Sequence, residues 1–171
     1  MEEKVILVDK NDNQIGVEDK MKAHKNGGKL HRAFSVFILN SKGEVLIQKR
    51  AKSKYHSPGL WANACCSHPR IGESLESAAH RRLKEEMGLD CKLKEFFTLT
   101  YRLELDNDLC EWEFDHIFIG KFNGNANPSS EEVAEWKWVD LNKLEKDIGE
   151  NPDKYASWFK IILKDLIIKL S

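Results

Sequence analysis

LWANACCSHPRIGESLESAAHRRLKEEMGL, residues 60–89, carries an adjacent thiol pair, an imidazole, a tight turn and a carboxylate-bearing helix. Its second half shows the signals of a helix. Ser74 after Gly72 and Glu73 suits an N-cap, Leu75, Ala78, Ala79, Leu83 and Met87 recur every three to four residues, and Gly88 supplies the stop. In projection Arg82 and Glu86 fall inside this apolar stripe, whereas Ser77, Arg81 and Lys84 lie on the opposite face. An unpaired charge buried there costs on the order of several kcal/mol, so each needs a counter-charge, a metal or an anionic ligand. The alternative is that the two, four residues apart, pair with each other on a partly wet face.

Outside this stretch, 171 residues suit one domain, and 41% hydrophobic with 32% charged residues is ordinary for a globular chain. A formal net charge of −1 gives no global pull toward nucleic acid, so any anion site must be a local cluster. The opening MEEKVILVDK is acidic where a signal peptide would be basic. The C-terminal SWFKIILKDLIIKLS is interrupted by Lys160, Lys164 and Asp165, so it reads as an amphipathic packing helix rather than a membrane span. A cytoplasmic protein with neither nucleic-acid nor membrane partners is expected. The four cysteines, Cys65, Cys66, Cys91 and Cys110, lack CxxC spacing, and Cys65 and Cys66 would project to opposite sides of a strand, so free thiols are expected.

Taken in order, residues 5–8 form a short apolar run and residues 9–13 a turn. The polar stretch that follows holds His24 and His31 on either side of Asn26, Gly27 and Gly28, a loop able to fold two imidazoles toward one point; surface or core histidines are the other reading. Residues 33–40 and 44–49 read as a hairpin, and Lys49, Arg50, Lys52 and Lys54 beyond it form either a solvated cluster or a phosphate site. Residues 60–66 read as one strand ending at the corner that carries His68. After the helix come two strands, 93–105 and 109–122. If their turn centres on Asn107, Tyr101 falls across from Glu113 and Leu103 across from Glu111. Glu111 and Glu113 then share a face, which pattern alone would treat as the wet side of an edge strand. A short strand at 133–139 with Trp136 and Trp138 on one face, a helix at 141–148 and a final helix at 156–170, with Trp158 in its first turn, complete the chain.

Glu73, Arg81, Leu83, Glu85, Glu86, Gly88 and Leu89 together resemble the Nudix box, a loop and helix that bind divalent metal and diphosphate. Two positions depart from its pattern: Ser67 stands where the first glycine belongs, and Arg82 replaces the first glutamate of the helix, leaving fewer carboxylate oxygens for activating water. Both departures are familiar in the type 1 isopentenyl-diphosphate delta-isomerases, and this resemblance spans nearly the whole chain. Its marks are Lys20 with His24, LHxAF at residues 30–34, KRAxSK at 49–54, PGLWxNxCCxHP at 58–69, and the pair Glu111 and Glu113.

The resemblance implies an α/β fold, a Nudix-type α/β/α sandwich around a mixed β-sheet. It implies a single domain over residues 1–171, with a core at about 30–140 and an N-terminal strand and loop and a C-terminal helix completing the site. It implies that His24, His31, His68, Glu111 and Glu113 ligate Zn or Mn, a donor set that suits such ions, and that Glu86 and the Cys66 carbonyl hold Mg with the substrate's diphosphate. Lys20, Arg50, Lys54 and Arg82 would grip the diphosphate. Cys66 and Glu113 would be the acid–base pair, Tyr101 would hydrogen-bond Glu113, and Trp158 would face a carbocation. The expected activity is isomerisation of isopentenyl diphosphate to dimethylallyl diphosphate by a monomer or weak homo-oligomer. The alternatives are a Nudix hydrolase acting on a nucleoside diphosphate derivative and a non-catalytic metal or thiol module.

Overall fold

A computed structural model describes residues 3–171. The strands are β1 (Lys4–Val8), β2 (Gln14–Asp19), β3 (His31–Leu39), β4 (Glu44–Arg50), β5 (Trp61–Ala62), β6 (Cys65–Ser67), β7 (Leu93–Glu104), β8 (Cys110–Lys121) and β9 (Val133–Asp140). The helices are α1 (Lys20–Ala23), α2 (Leu75–Met87), α3 (Leu141–Glu150) and α4 (Ser157–Leu170). All nine strands belong to one mixed sheet.

Strand β3 organises that sheet. Its run of apolar residues is buried on both faces, the pattern of a central strand covered on each side. Phe34, Val36 and Ile38 pack with Ala78, Ala79, Leu83 and Met87 of α2, while Phe37 packs with Trp158, Phe159, Ile162 and Leu163 of α4. Each fully buried Val, Ile, Leu, Met or Phe among them contributes roughly 1.5–3 kcal/mol of transfer free energy. The result is the expected layering of helix, sheet and helix.

The expected α2 forms with its caps. Ser74 Oγ accepts from Ser77 N at 3.1 Å, and Gly88 closes the helix at φ 62° with its N–H on Lys84 O at 3.0 Å. Glu73 receives Arg81 Nε at 2.8 Å and Arg70 N at 2.9 Å, fastening the loop before the helix to the helix itself.

Four readings change. The polar stretch after residue 13 contains the edge strand β2, held along β1. The hairpin at 33–49 is paired only at Leu39 and Val45, because beyond that point β6 takes the facing edge of β3 and β5 that of β4, while β8 and β9 lie along their other edges. The strand expected at 60–66 splits: β5 lies on β4 and β6 on β3. Asn63 sits in the gap, its Nδ2 donating to Val36 O at 3.1 Å and Cys65 O at 2.8 Å, so a side-chain amide replaces the ladder there. Lastly, β8 is no edge strand, since β3 and β7 flank it and Glu111 and Glu113 are buried. Cys65 and Cys66 do face opposite clusters and are free thiols. Among the described residues no helix is long and apolar enough to cross a membrane.

Candidate active site

Three segments converge on β8. The parallel register of β3 and β8 sets His31 beside Glu113, the antiparallel register of β7 and β8 sets Tyr101 across from Glu113, and His68 follows β6. The hairpin pairing expected from the turn at Asn107 is therefore the observed one. Ligand atoms of His24, His31, His68 and Glu113 all lie within 4.8 Å of one another.

This group fits a divalent cation on the chemistry of its donors. His24 Nδ1 lies 2.6 Å from Lys20 O and His31 Nδ1 lies 2.7 Å from Lys29 O. Both carbonyls can only accept, which assigns the proton to Nδ1 and leaves each Nε2 as a lone pair. His24 Nε2 is buried without a partner. Burial depresses His24, and it holds His68 down at about 4, so both rings are neutral donors at pH 7. Glu113 Oε1 lies 3.4 Å from His31 Nε2 and 3.1 Å from His68 Nε2, facing the same point. Glu111 stands outside this group. Its Oε1 lies 3.3 Å from His56 Nε2, and its Oε2 is buried without a partner.

The same side chains open onto a cavity of about 150 Å³ lined by Cys66, Tyr101, Glu113, Glu111, His56 and Trp158 together with the cations Lys20, Arg50, Lys54 and Arg82. Tyr101 Oη donates to Glu113 Oε2 at 2.7 Å. Burial pushes the Cys66 thiol well above its ordinary range, with the nearby Asp115 adding to the rise, so the resting thiol is protonated.

Each cation except Arg50 already faces a carboxylate: Lys20 to Glu3 at 2.9 Å, Lys54 to Glu132 at 2.6 Å, Arg82 to Glu85 at 2.6 Å, Glu86 at 3.1 Å and Glu132 at 3.2 Å. Arg50 instead lies 5.0 Å from the Trp158 ring centre and leaves its Nε unpartnered. Of the two readings of the inward charges on α2, the pairing of Arg82 with Glu86 is observed, though with Glu86 buried rather than on a partly wet face, and Arg82 also lines the cavity. Glu86 keeps one buried, unpartnered oxygen, and burial raises its carboxyl to about 7 despite Arg82.

Sequence reasoning named every one of these residues except His56, Glu132, Asp115 and Glu3. A histidine two places beyond Lys54 was a signal for His56. Glu132, on the loop before β9, carried none.

The NUDIX domain profile matches residues 29–159. The chain is 52% identical to isopentenyl-diphosphate Delta-isomerase 2 of Photorhabdus laumondii, over 97% of its own length and 93% of the relative's. It is also 52% identical to isopentenyl-diphosphate Delta-isomerase 1 of Aromatoleum aromaticum, over 98% and 94%. In fold it is similar to a Deinococcus radiodurans protein of known structure, with a TM-score of 0.80 at 16% identity, covering 95% of this chain and 98% of that one. A MutT protein from Methanosarcina mazei gives 0.68 at 19% identity, covering 83% and 96%. The Nudix-type sandwich read from residues 60–89 is thus met in both fold and sequence, and the chain belongs to the NUDIX domain family and, within it, to the isopentenyl-diphosphate Delta-isomerases.

Proposed function

We propose that this protein converts isopentenyl diphosphate to dimethylallyl diphosphate. One observation carries the reading: a thiol, Cys66, and a tyrosine-held carboxylate, Glu113, line a single cavity together with the cations Lys20, Arg50, Lys54 and Arg82. The relatives' names supply the substrate.

An isolated alkene is a poor base, so an acid must add a proton at its terminal carbon, leaving a tertiary carbocation, and a base must take one from the carbon on the far side of that cation. Nothing else enters or leaves. Cys66 and Glu113 are the two groups for these transfers, and Tyr101 fixes the Glu113 carboxylate. Lys20, Arg50, Lys54 and Arg82 bind the diphosphate, the multidentate guanidiniums setting its orientation. Trp158 presents a ring to the cation, a contact worth about 2 kcal/mol when desolvated. Packing of α4 against the sheet, with Trp158 buried in the cavity wall, keeps water out.

His24, His31, His68 and Glu113, joined by Glu111, would hold Zn or Mn, and Glu86 with the Cys66 carbonyl and the diphosphate would hold Mg. Bound there, such ions would strengthen Glu113 as an acid and neutralise phosphate charge.

The test is proton and phosphorus NMR of the protein with isopentenyl diphosphate and Mg in deuterated water. Deuterium-labelled dimethylallyl diphosphate, lost on chelation, is the expected product. Unchanged substrate beside phosphate release from a nucleotide panel would make the protein a hydrolase instead. Cys66→Ala and Glu113→Gln should each cut kcat by at least about 10³-fold, within the range for general acid–base groups, with circular dichroism unchanged. Near-normal rates in both would sink the pairing. Cys65→Ala should stay active, since Cys65 lies in the core beneath α2.

A further inference from the structure

Cys66 does not sit loosely in the cavity wall. Ser35 Oγ lies 3.2 Å from Cys66 Sγ, and Asn63 Oδ1 accepts from the same sulfur at 3.2 Å. Both partners are themselves fixed. Asn63 spends its Nδ2 on the carbonyls of Val36 and Cys65, so its amide cannot flip and only the acceptor oxygen can face the thiol. Ser35 Oγ donates to Asp115 Oδ2 at 2.7 Å, so its lone pairs face the sulfur. Ser35, Asn63 and Asp115 are buried, and their backbones are held at β3, at the break between β5 and β6, and on β8. Ser35 is opposite Cys66 in the antiparallel ladder of β3 and β6.

We propose that Ser35 and Asn63 are positioning residues that hold the Cys66 sulfur in the one side-chain position that lines the substrate cavity. The inference rests on the isomerase reading for its catalytic consequence, but the cradle itself is a property of the thiol and can be tested without turnover. A free cysteine side chain has three staggered positions; its one proton goes to Asn63 Oδ1, Ser35 Oγ brackets the sulfur from the other support, and together these fixed neighbours select one position. This also gives the split between β5 and β6 a purpose. A continuous strand would spend the carbonyls of Val36 and Cys65 on ladder partners and leave Asn63 free to turn.

Two readouts test it on the metal-loaded, full-length protein. The first is the rate at which iodoacetamide labels Cys66, followed by peptide mass mapping so that Cys65, Cys91 and Cys110 are scored separately. Ser35→Ala should slow labelling at least threefold, because the sulfur can turn into the space the hydroxyl vacates, and Ser35→Thr, which restores a hydroxyl, should recover it. The second is steady-state kinetics. Ser35→Ala should lower kcat at least tenfold with KM for isopentenyl diphosphate unchanged. If Ser35→Ala does not fold, the near-isosteric Ser35→Cys replaces it, with labelling again expected to slow. Labelling that is unchanged or faster in the folded variant overturns the cradle, whatever the wild type does to isopentenyl diphosphate. Slowed labelling in a protein whose wild type fails to isomerise keeps the cradle and removes the proposed reaction. A rise in KM with kcat unchanged would also overturn it, since that marks a disturbed cavity rather than a misaimed thiol.

Discussion

Glu86 shows how much chemistry one buried carboxyl can report. Held at about 7 by burial, it is half protonated at neutral pH in the metal-free protein. A divalent cation binds only the carboxylate, so binding must expel the proton. The sign follows: Mg affinity, measured with diphosphate present, should fall as pH drops from 8 to 6. Proton release per ion bound should rise from about 0.1 to about 0.9 over the same range, as for any group with that midpoint. Glu86→Gln should remove the share of that dependence that Glu86 adds to the diphosphate's own titration. A flat affinity from pH 8 to 6 would show that Glu86 is not a ligand. His56 offers a second check: it is the partner of Glu111 Oε1 at 3.3 Å, and His56→Ala should weaken Zn or Mn about 10–100-fold, the usual cost of losing a group that orients a ligand. Equilibrium dialysis against a competing chelator measures it.

At the scale of elements, α2 and the β7–β8 hairpin were legible because each has a local punctuation mark. Ser74 and Gly88 bracket the helix, and the turn at Asn107, with Asn107 and Asp108 both at positive φ, fixes which residues oppose Glu111 and Glu113. β2 escaped for the opposite reason: Ile15 and Val17 are exposed on an edge strand, so no buried face printed an alternating pattern on the sequence. The burial of Glu113 escaped too, because there β8 lies parallel beside β3, a pairing to which no short sequence pattern points. Gly88 links such an element to the site. A Cβ there would stand 1.9 Å from Asn127 O, in the segment tied to α2 by Asn127 N on Met87 O and Ser129 N on Glu86 O. That segment leads to Glu132, the partner of Lys54 and Arg82. Gly88→Ala should therefore cost at least about 2 kcal/mol, a fall in Tm of roughly 4–8 °C, and should raise KM for the diphosphate substrate. Calorimetry and initial rates check the two effects.

For the molecule as a whole, two apolar clusters on either face of the sheet carry the fold, and the metal group sits at its rim. Chelation should consequently leave the protein folded but less stable. Zn at a hundred times its dissociation constant should restore about 2.7 kcal/mol by mass action, and His24→Ala should erase the metal-dependent part of Tm. Unfolding on chelation would instead mark the metal as the scaffold and favour a structural metal module.

The pairing of His31 with Glu113 joins residues about eighty positions apart, and this sets an order in time. During synthesis His24, His31 and His68 leave the ribosome well before the strand that carries their carboxylate. Closing so long a loop is the kind of event that limits folding rates. The nascent chain therefore exposes three imidazoles with no anionic partner from β8, and cation site, acid–base pair and cavity wall all arrive in the single step that zips β8 onto β3.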